Sequence, residues 1–150
     1  MRLPKQVLII PYKIVEQKIE YCIFRRKDRP IWQWISGGVE DFDKDEISAA
    51  KREVYEETGI GPNANITELE GYTKIPVVNI AKEFKWGNQV YYAKEFSFAV
   101  NIFDQSIKLS EEHSEYKWVA YEEAKSLLKY DSNRSALWEL NEKIKRGIIK

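Results

Sequence analysis

Nine consecutive residues, Arg52-Glu53-Val54-Tyr55-Glu56-Glu57-Thr58-Gly59-Ile60, constrain this chain more than any other stretch. Three glutamates precede a glycine, and a glycine pair, Gly37-Gly38, stands one short loop upstream. Wound as a helix, the segment carries Glu53, Glu56 and Glu57 on one face, because positions i, i+3 and i+4 are neighbours. Three carboxylates on one stripe want a cation. Oxygen ligands of high charge density suit a hard divalent ion, and magnesium typically takes one or two carboxylates while keeping waters and substrate phosphates in its other positions. A solvated acidic face is the bland account of such a stripe. Typical residue usage, however, gives the ordered set from Arg52 onward a chance frequency on the order of one in ten million per start position.

The surrounding pattern gives the helix both ends and an inner face. Asp43 or Asp45 can cap its start, and Gly59 can end it in the left-handed conformation. Ile47, Ala50 and Val54 recur at i, i+3 and i+7 as a core stripe, about a third of a turn from the glutamates. One helix can therefore pack and hold metal at once. Residues 6–15 and 19–26 read as a hairpin around Glu16-Gln17-Lys18, and residues 32–35 as a short aromatic strand running into Ser36-Gly37-Gly38. Without a Cβ, those glycines let the backbone approach a metal or phosphate closely. Further strands are expected at 66–78, 89–100 and 117–119, and helices at 121–128 and 132–145. Strands flanked by a central helix and terminal helices predict an α/β class fold, an α/β/α sandwich.

Length and charge narrow the function classes. A chain of 150 residues is read as a single domain, 1–150, able to bury roughly 70% of its unfolded surface. Its 24 basic residues balance 24 acidic ones, so no basic excess argues for a nucleic-acid polymer as partner. The single cysteine, Cys22, has no internal disulfide partner and lies in an apolar strand pattern as a small hydrophobe. Only four consecutive aliphatics, Val7 to Ile10, stand before Pro11, too few for a signal-peptide core, and no 18-residue apolar run exists to span a bilayer. A cytoplasmic protein without a membrane partner is expected.

The box resembles the signature of the Nudix hydrolases, which runs Gly, five residues, Glu, seven residues, Arg-Glu-aliphatic-x-Glu-Glu-x-Gly-aliphatic. Its second half matches completely over Arg52 to Ile60. Its first half departs: counting forward from Gly37 puts Asp43 at the first acid, whereas counting back from Arg52 through Gly38 puts Lys44 there. Asp43, Asp45 and Glu46 all stand close enough to substitute. Outside the box, Arg25-Arg26-Lys27-Asp28-Arg29-Pro30-Ile31-Trp32-Gln33, Glu112-His113-Ser114-Glu115-Tyr116-Lys117-Trp118 and Ser132-Asn133-Arg134 resemble the dATP and dihydroneopterin triphosphate pyrophosphohydrolases of that family.

The resemblance implies a Nudix-type sandwich with a mixed β-sheet and a set of roles. Glu53 and Glu57 are expected as direct metal ligands, Glu56 as a third, and the carbonyl of Gly37, or of Gly38 one register on, as a fourth. Arg52 is expected to hold a glutamate by an ion pair. Glu112 is the candidate for a further ligand or general base, with Glu115 its rival, while His113, the only histidine, either polarises a phosphate or orients the loop. Arg25 and Arg26, together with Gly37 and Gly38, are the substrate-binding candidates, although alternation along a strand sends the two arginines opposite ways. Trp32, Trp34, Tyr91, Tyr92 and Phe84 supply either a base-stacking platform or core. The implied cofactor is Mg2+, with Mn2+ able to substitute. The implied reaction cleaves a (deoxy)nucleoside triphosphate such as dATP to the monophosphate and pyrophosphate, with dihydroneopterin triphosphate as the alternative substrate. A monomer or homodimer is expected. The other class, a binding module that keeps the fold without catalysis, is disfavoured because Arg52-Glu53 and Glu56-Glu57 are all retained.

Overall fold

The computed structural model describes residues 1–61 and 63–150. A long first strand, β1 (Arg2–Val15), turns back into β2 (Lys18–Arg26), with Val15 opposite Lys18. Glu16 and Gln17 both have positive φ, 51° and 69°, as a two-residue hairpin turn of matching twist requires. The short β3 (Trp32–Gln33) and β4 (Ile35–Glu40) follow, then helix α1 (Glu46–Thr58). Next come β5 (Asn65–Pro76), a single turn α2 (Val78–Ala81), β6 (Tyr92–Asn101), β7 (His113–Val119), α3 (Tyr121–Leu127) and α4 (Asp131–Lys145). The strands form one mixed sheet in the order β3-β2-β1-β6-β5, with β4 added to β1 and β7 to β2. β1 and β6 run parallel, while the other pairs are antiparallel.

Alternation along β1 divides the core in two. Val7 and Ile9 point to one face, where Ala49, Ala50 and Val54 of α1 pack. Leu8, Ile10 and Tyr12 point to the other, against Ala124 of α3 and Ala136, Leu137 and Leu140 of α4. Each buried Val, Leu or Ile contributes about 1.5–3 kcal/mol relative to exposure, so both helical layers are held to the sheet by their apolar stripes. The sandwich expected from the sequence is present. Among the described residues no helix is long and apolar enough to cross a membrane.

Several boundaries differ from the sequence expectation. The aromatic strand at 32–35 is split by Trp34 into β3 and β4, because Trp34 is fully buried and held by Asn133, whose Oδ1 accepts from the Trp34 backbone N–H at 3.1 Å. Gly37 and Gly38 lie inside β4, paired with Val7 and Gln6. Strand 66–78 stops at Pro76, α2 follows in the connection to its antiparallel neighbour, and that next strand starts at Tyr92. The last strand begins at His113 rather than 117, since residues 113–119 pair with β2.

Candidate active site

Helix α1 owes its placement to its two ends. Asp45, extended at the N-cap, accepts from the Ser48 backbone N–H at 2.9 Å and the Ser48 hydroxyl at 2.6 Å. Gly59 closes the helix at φ 76°, with its N–H donating to the Tyr55 carbonyl at 2.8 Å. With Asp45 serving as the cap, Asp43 is free to face the helix flank. Its carboxylate receives both Nε (3.1 Å) and NH2 (2.8 Å) of Arg52. Lys44 is exposed.

Arg52 is the hub. Besides Asp43, its NH1 lies 3.0 Å from Glu53 Oε1 and 3.3 Å from Glu56 Oε1, and its NH2 donates to the Gly38 carbonyl at 2.9 Å. One guanidinium thus ties α1 to β4 and to the loop between them, using the fixed fork of donors that only arginine has. The Gly38 carbonyl thus already accepts one bond from Arg52. Gly37 lies directly beneath Glu53: a Cβ there would collide with the Glu53 carboxyl group.

The three glutamates diverge. Glu56 is exposed, while Glu53 and Glu57 are 7% and 3% exposed. Burial, then repulsion from Glu56, pushes Glu53 up from 4.5 to about 7 against the pull of Arg52. Glu57 is also pushed upward by burial, but hydrogen bonds from His113, Ser110 and Glu112 outweigh that and hold it below the ordinary value. His113 Nδ1 donates to Glu57 Oε2 at 3.0 Å and the Ser110 hydroxyl donates to the same oxygen at 2.6 Å. Glu57 is thus covered by the 110–113 segment. Sequence reasoning missed Ser110, whose only signal is its proximity to Glu112-His113.

Beyond the box, the structure separates the rival candidates. Glu112 lines the cleft and hydrogen-bonds Glu57, which with burial raises its carboxyl above the ordinary value. Glu115 sits on the strand opposite Arg25, 3.7 Å from its guanidinium. Arg25 is absent from the lining of the cleft, as alternation along the strand allows for one of the two arginines, while Arg26 lines the cleft and forks onto Asp28 at 2.7 and 2.8 Å. The buried His113 ring packs 5.4 Å from Phe24. Trp34 is core, Trp32 is half-buried beneath Lys117, and Phe84 and Tyr91 pack edge-on at the surface. Cys22 is buried on the α1 side and its thiol is pushed up by burial, so it is not a nucleophile.

Two connected hollows form the cleft. One, of about 520 Å³, runs past Gly37, Glu112, His113 and Arg26. The other, of about 560 Å³, shares Arg2, Gln6, Arg26, Gln33 and Ser36 with it and extends to Ile75, Ile80, Glu95 and Tyr130. Among the described residues no three acidic, histidine or cysteine side chains close into a complete metal cluster. The donors are nonetheless oxygens at high charge density, and the cradle between Gly37 and Glu53 is one that a Cβ would fill. This fits a hard divalent ion that takes one or two carboxylates and fills its other positions with water and phosphate.

An arginine-flanked cleft leading to buried carboxylates on a helix, against a glycine strand, suits a polyphosphate and defines a class, the hydrolases of phosphoric anhydrides. The NUDIX domain model matches residues 9–139, so the chain belongs to the Nudix hydrolases. It is 30% identical over 132 residues to the asymmetrical bis(5'-nucleosyl)-tetraphosphatase of Rattus norvegicus, covering 87% of this chain and 84% of that one. Among solved structures, a Listeria monocytogenes protein classed with the NUDIX hydrolases superposes with a TM-score of 0.87 at 37% identity, over 99% of each chain. The E. coli dihydroneopterin triphosphate pyrophosphohydrolase superposes with a TM-score of 0.74 at 25% identity, over 93% of this chain and 97% of that one.

Proposed function

We propose that this chain is a Mg2+-dependent pyrophosphohydrolase, a single domain that cleaves a (deoxy)nucleoside or pterin triphosphate to the monophosphate and pyrophosphate. The observation that carries this reading is the Glu53–Glu57 pair, buried one turn apart between the Gly37 strand and the 110–113 segment. A divalent ion held by Glu53, Glu57 and the Gly37 carbonyl, with Glu56 at its edge, would neutralise phosphate charge and lower the pKa of the attacking water. Arg52 fixes Glu53 against the strand. Arg26, at the mouth of the cleft, faces the phosphates, and Gly37 and Gly38 let them approach the backbone. Glu112, which lines the cleft beside Glu57, is the proposed proton acceptor.

The flanking motifs support dATP as one substrate, and the similarity to the E. coli enzyme supports dihydroneopterin triphosphate as the other. A second reading, cleavage of a dinucleoside tetraphosphate, is favoured by the similarity to the rat tetraphosphatase. One assay separates them: hydrolysis of dATP, other nucleoside triphosphates, dihydroneopterin triphosphate and diadenosine tetraphosphate, with Mg2+, Mn2+ or chelator, resolving pyrophosphate from phosphate. Metal-dependent pyrophosphate release is the expected result. Release of a mononucleotide from the tetraphosphate alone would select the second reading, and no turnover with any of them would reject the catalytic one.

A further inference from the structure

The deep end of the cleft contains a buried carboxylate that the proposed chemistry does not use. Glu95, on β6, is 4% exposed and lines the 560 Å³ hollow. Parallel pairing of β1 and β6 puts Gln6 beside it, and Gln6 Nε2 donates to Glu95 Oε2 at 2.7 Å. On its other side Gln6 Oε1 accepts from Arg2 NH2, also at 2.7 Å. Arg2 in turn packs over Gly38, where an added Cβ would come within 2.8 Å of its Cζ.

This chain of contacts fixes the direction of every group in it. A guanidinium can only donate, so the Gln6 oxygen must face Arg2 and its amide nitrogen must face Glu95. Flipping the amide would set donor against donor and acceptor against acceptor. The hollow is therefore presented with an amide donor beside a carboxylate that has lone pairs to spare, in a site where an under-bonded carboxylate is costly. Burial pushes the Glu95 carboxyl up, and the Gln6 and Ser132 contacts only partly offset it. Ile75, Ile80 and Trp34 add apolar side chains to a lining that is otherwise mostly polar, the mixture that a heterocycle with a hydrogen-bonding edge needs.

We infer that Glu95, aligned by the Arg2–Gln6 pair, is the residue that selects the ring of the substrate, and that it selects a 2-amino-4-oxo-pyrimidine edge. Such an edge offers a carbonyl, a ring N–H and an amino N–H in a row. The carbonyl meets the Gln6 amide, and the two N–H groups meet the carboxylate. Guanine and reduced pterins share this edge. Adenine instead places a bare ring nitrogen beside its amino group, lone pair against carboxylate. The inference rests on the pyrophosphohydrolase reading for where the triphosphate lies, and it ranks the candidate substrates, setting pterin and guanine ahead of adenine.

The test is calorimetric binding of dGMP, dAMP and 7,8-dihydroneopterin monophosphate to the wild-type protein and Glu95→Gln, with kcat/KM for the corresponding triphosphates. A matched bidentate contact discriminates by on the order of 10- to 100-fold, so the wild type should favour dGMP or the pterin over dAMP by that factor. Which of the two binds tighter names the source of the ring. Glu95→Gln, which keeps the shape and replaces one acceptor by a donor, should bring the ratio to about one or invert it, with an unchanged melting midpoint. A wild-type ratio at or below one, or an unchanged ratio in Glu95→Gln, overturns the inference. Should that variant unfold, Gln6→Met removes the neighbouring donor and must also lower the ratio. A wild-type ratio at or below one with pyrophosphate release intact rejects only this inference. A wild-type preference that Glu95→Gln abolishes, with no turnover of any triphosphate, rejects only the proposed reaction.

Discussion

Glu53 and Glu57 lie one turn apart on the same helix, are similarly buried, and titrate in opposite directions. The difference lies in what each end of the turn meets. At the Glu57 end, two donors, the His113 ring and the Ser110 hydroxyl, converge on one oxygen. At the Glu53 end the neighbours are a glycine backbone, a shared arginine and another carboxylate. Helical spacing put both acids on the correct stripe, but the surrounding strands decide which one keeps its charge unaided. Glu57 is a preorganised anion, whereas Glu53 needs more positive charge than Arg52 alone supplies.

The strongest way to break this contrast is Glu57→Gln. It removes the charge yet leaves an amide able to keep the His113 contact, so the melting midpoint should change little. Turnover should fall by on the order of 10³-fold, the scale on which losing one electrostatic stabiliser of a transition state acts. Near-normal kcat would remove Glu57 from the mechanism. Next is Arg52→Ala, which strands the Asp43 carboxylate, 5% exposed at its side chain, without its fork. Stranding a part-buried carboxylate in this way costs about 2 kcal/mol, to be read as a lowered denaturant midpoint. A shift below about 1 kcal/mol would mean the hub is dispensable.

The raised Glu53 carboxyl sharpens the contrast through pH. In the unfolded chain the group loses its proton near 4.5, and in the folded chain near 7. Between those values the folded state holds the extra proton, so stability falls as pH rises through that window and levels off above it. At 1.36 kcal/mol per unit, the total is on the order of 3 kcal/mol in chelator. Glu53→Gln should flatten the slope, and Mg2+ at pH 8 should raise the melting midpoint of the wild type more than that of the variant. An equal slope in both would place the titration elsewhere.

The box, the two-sided core and the helix caps were legible because each depends on local spacing. Ala50 and Val54 follow the helical repeat, and Gly59 follows from the left-handed turn it makes. The substrate side of the cleft was not. Gln6 and Glu95 meet across 89 residues through a parallel pairing whose register no local pattern encodes. Arg25 and Arg26 were recognised as pointing opposite ways, yet only the pairing of β2 with β7 shows which one turns to Glu115. The burial of Glu57 likewise depends on a segment more than fifty residues downstream, so a helical wheel shows its neighbours on α1 and nothing of what covers them.

The smallest expected effect comes from the place where the box departs from its family pattern. Counting along the sequence left positions 43 and 44 open for the first acid, since either the loop is one residue longer than the signature or Lys44 replaces its acid. In the fold Asp45 caps α1, Asp43 turns inward onto Arg52, and Lys44 is left exposed between them. A carboxylate introduced by Lys44→Glu would find the Arg52 fork already occupied, because Nε and NH2 both bond Asp43. Its effect on stability should stay within about 0.5 kcal/mol, as for a surface substitution without a partner, and Mg2+ affinity and kcat should be unchanged. Asp43→Asn should instead weaken the hold on Arg52 and, through it, the placement of Glu53, raising the Mg2+ concentration needed for half-maximal activity. An enhancement in Lys44→Glu with an indifferent Asp43→Asn would reverse the assignment and put the first acid of the box at position 44.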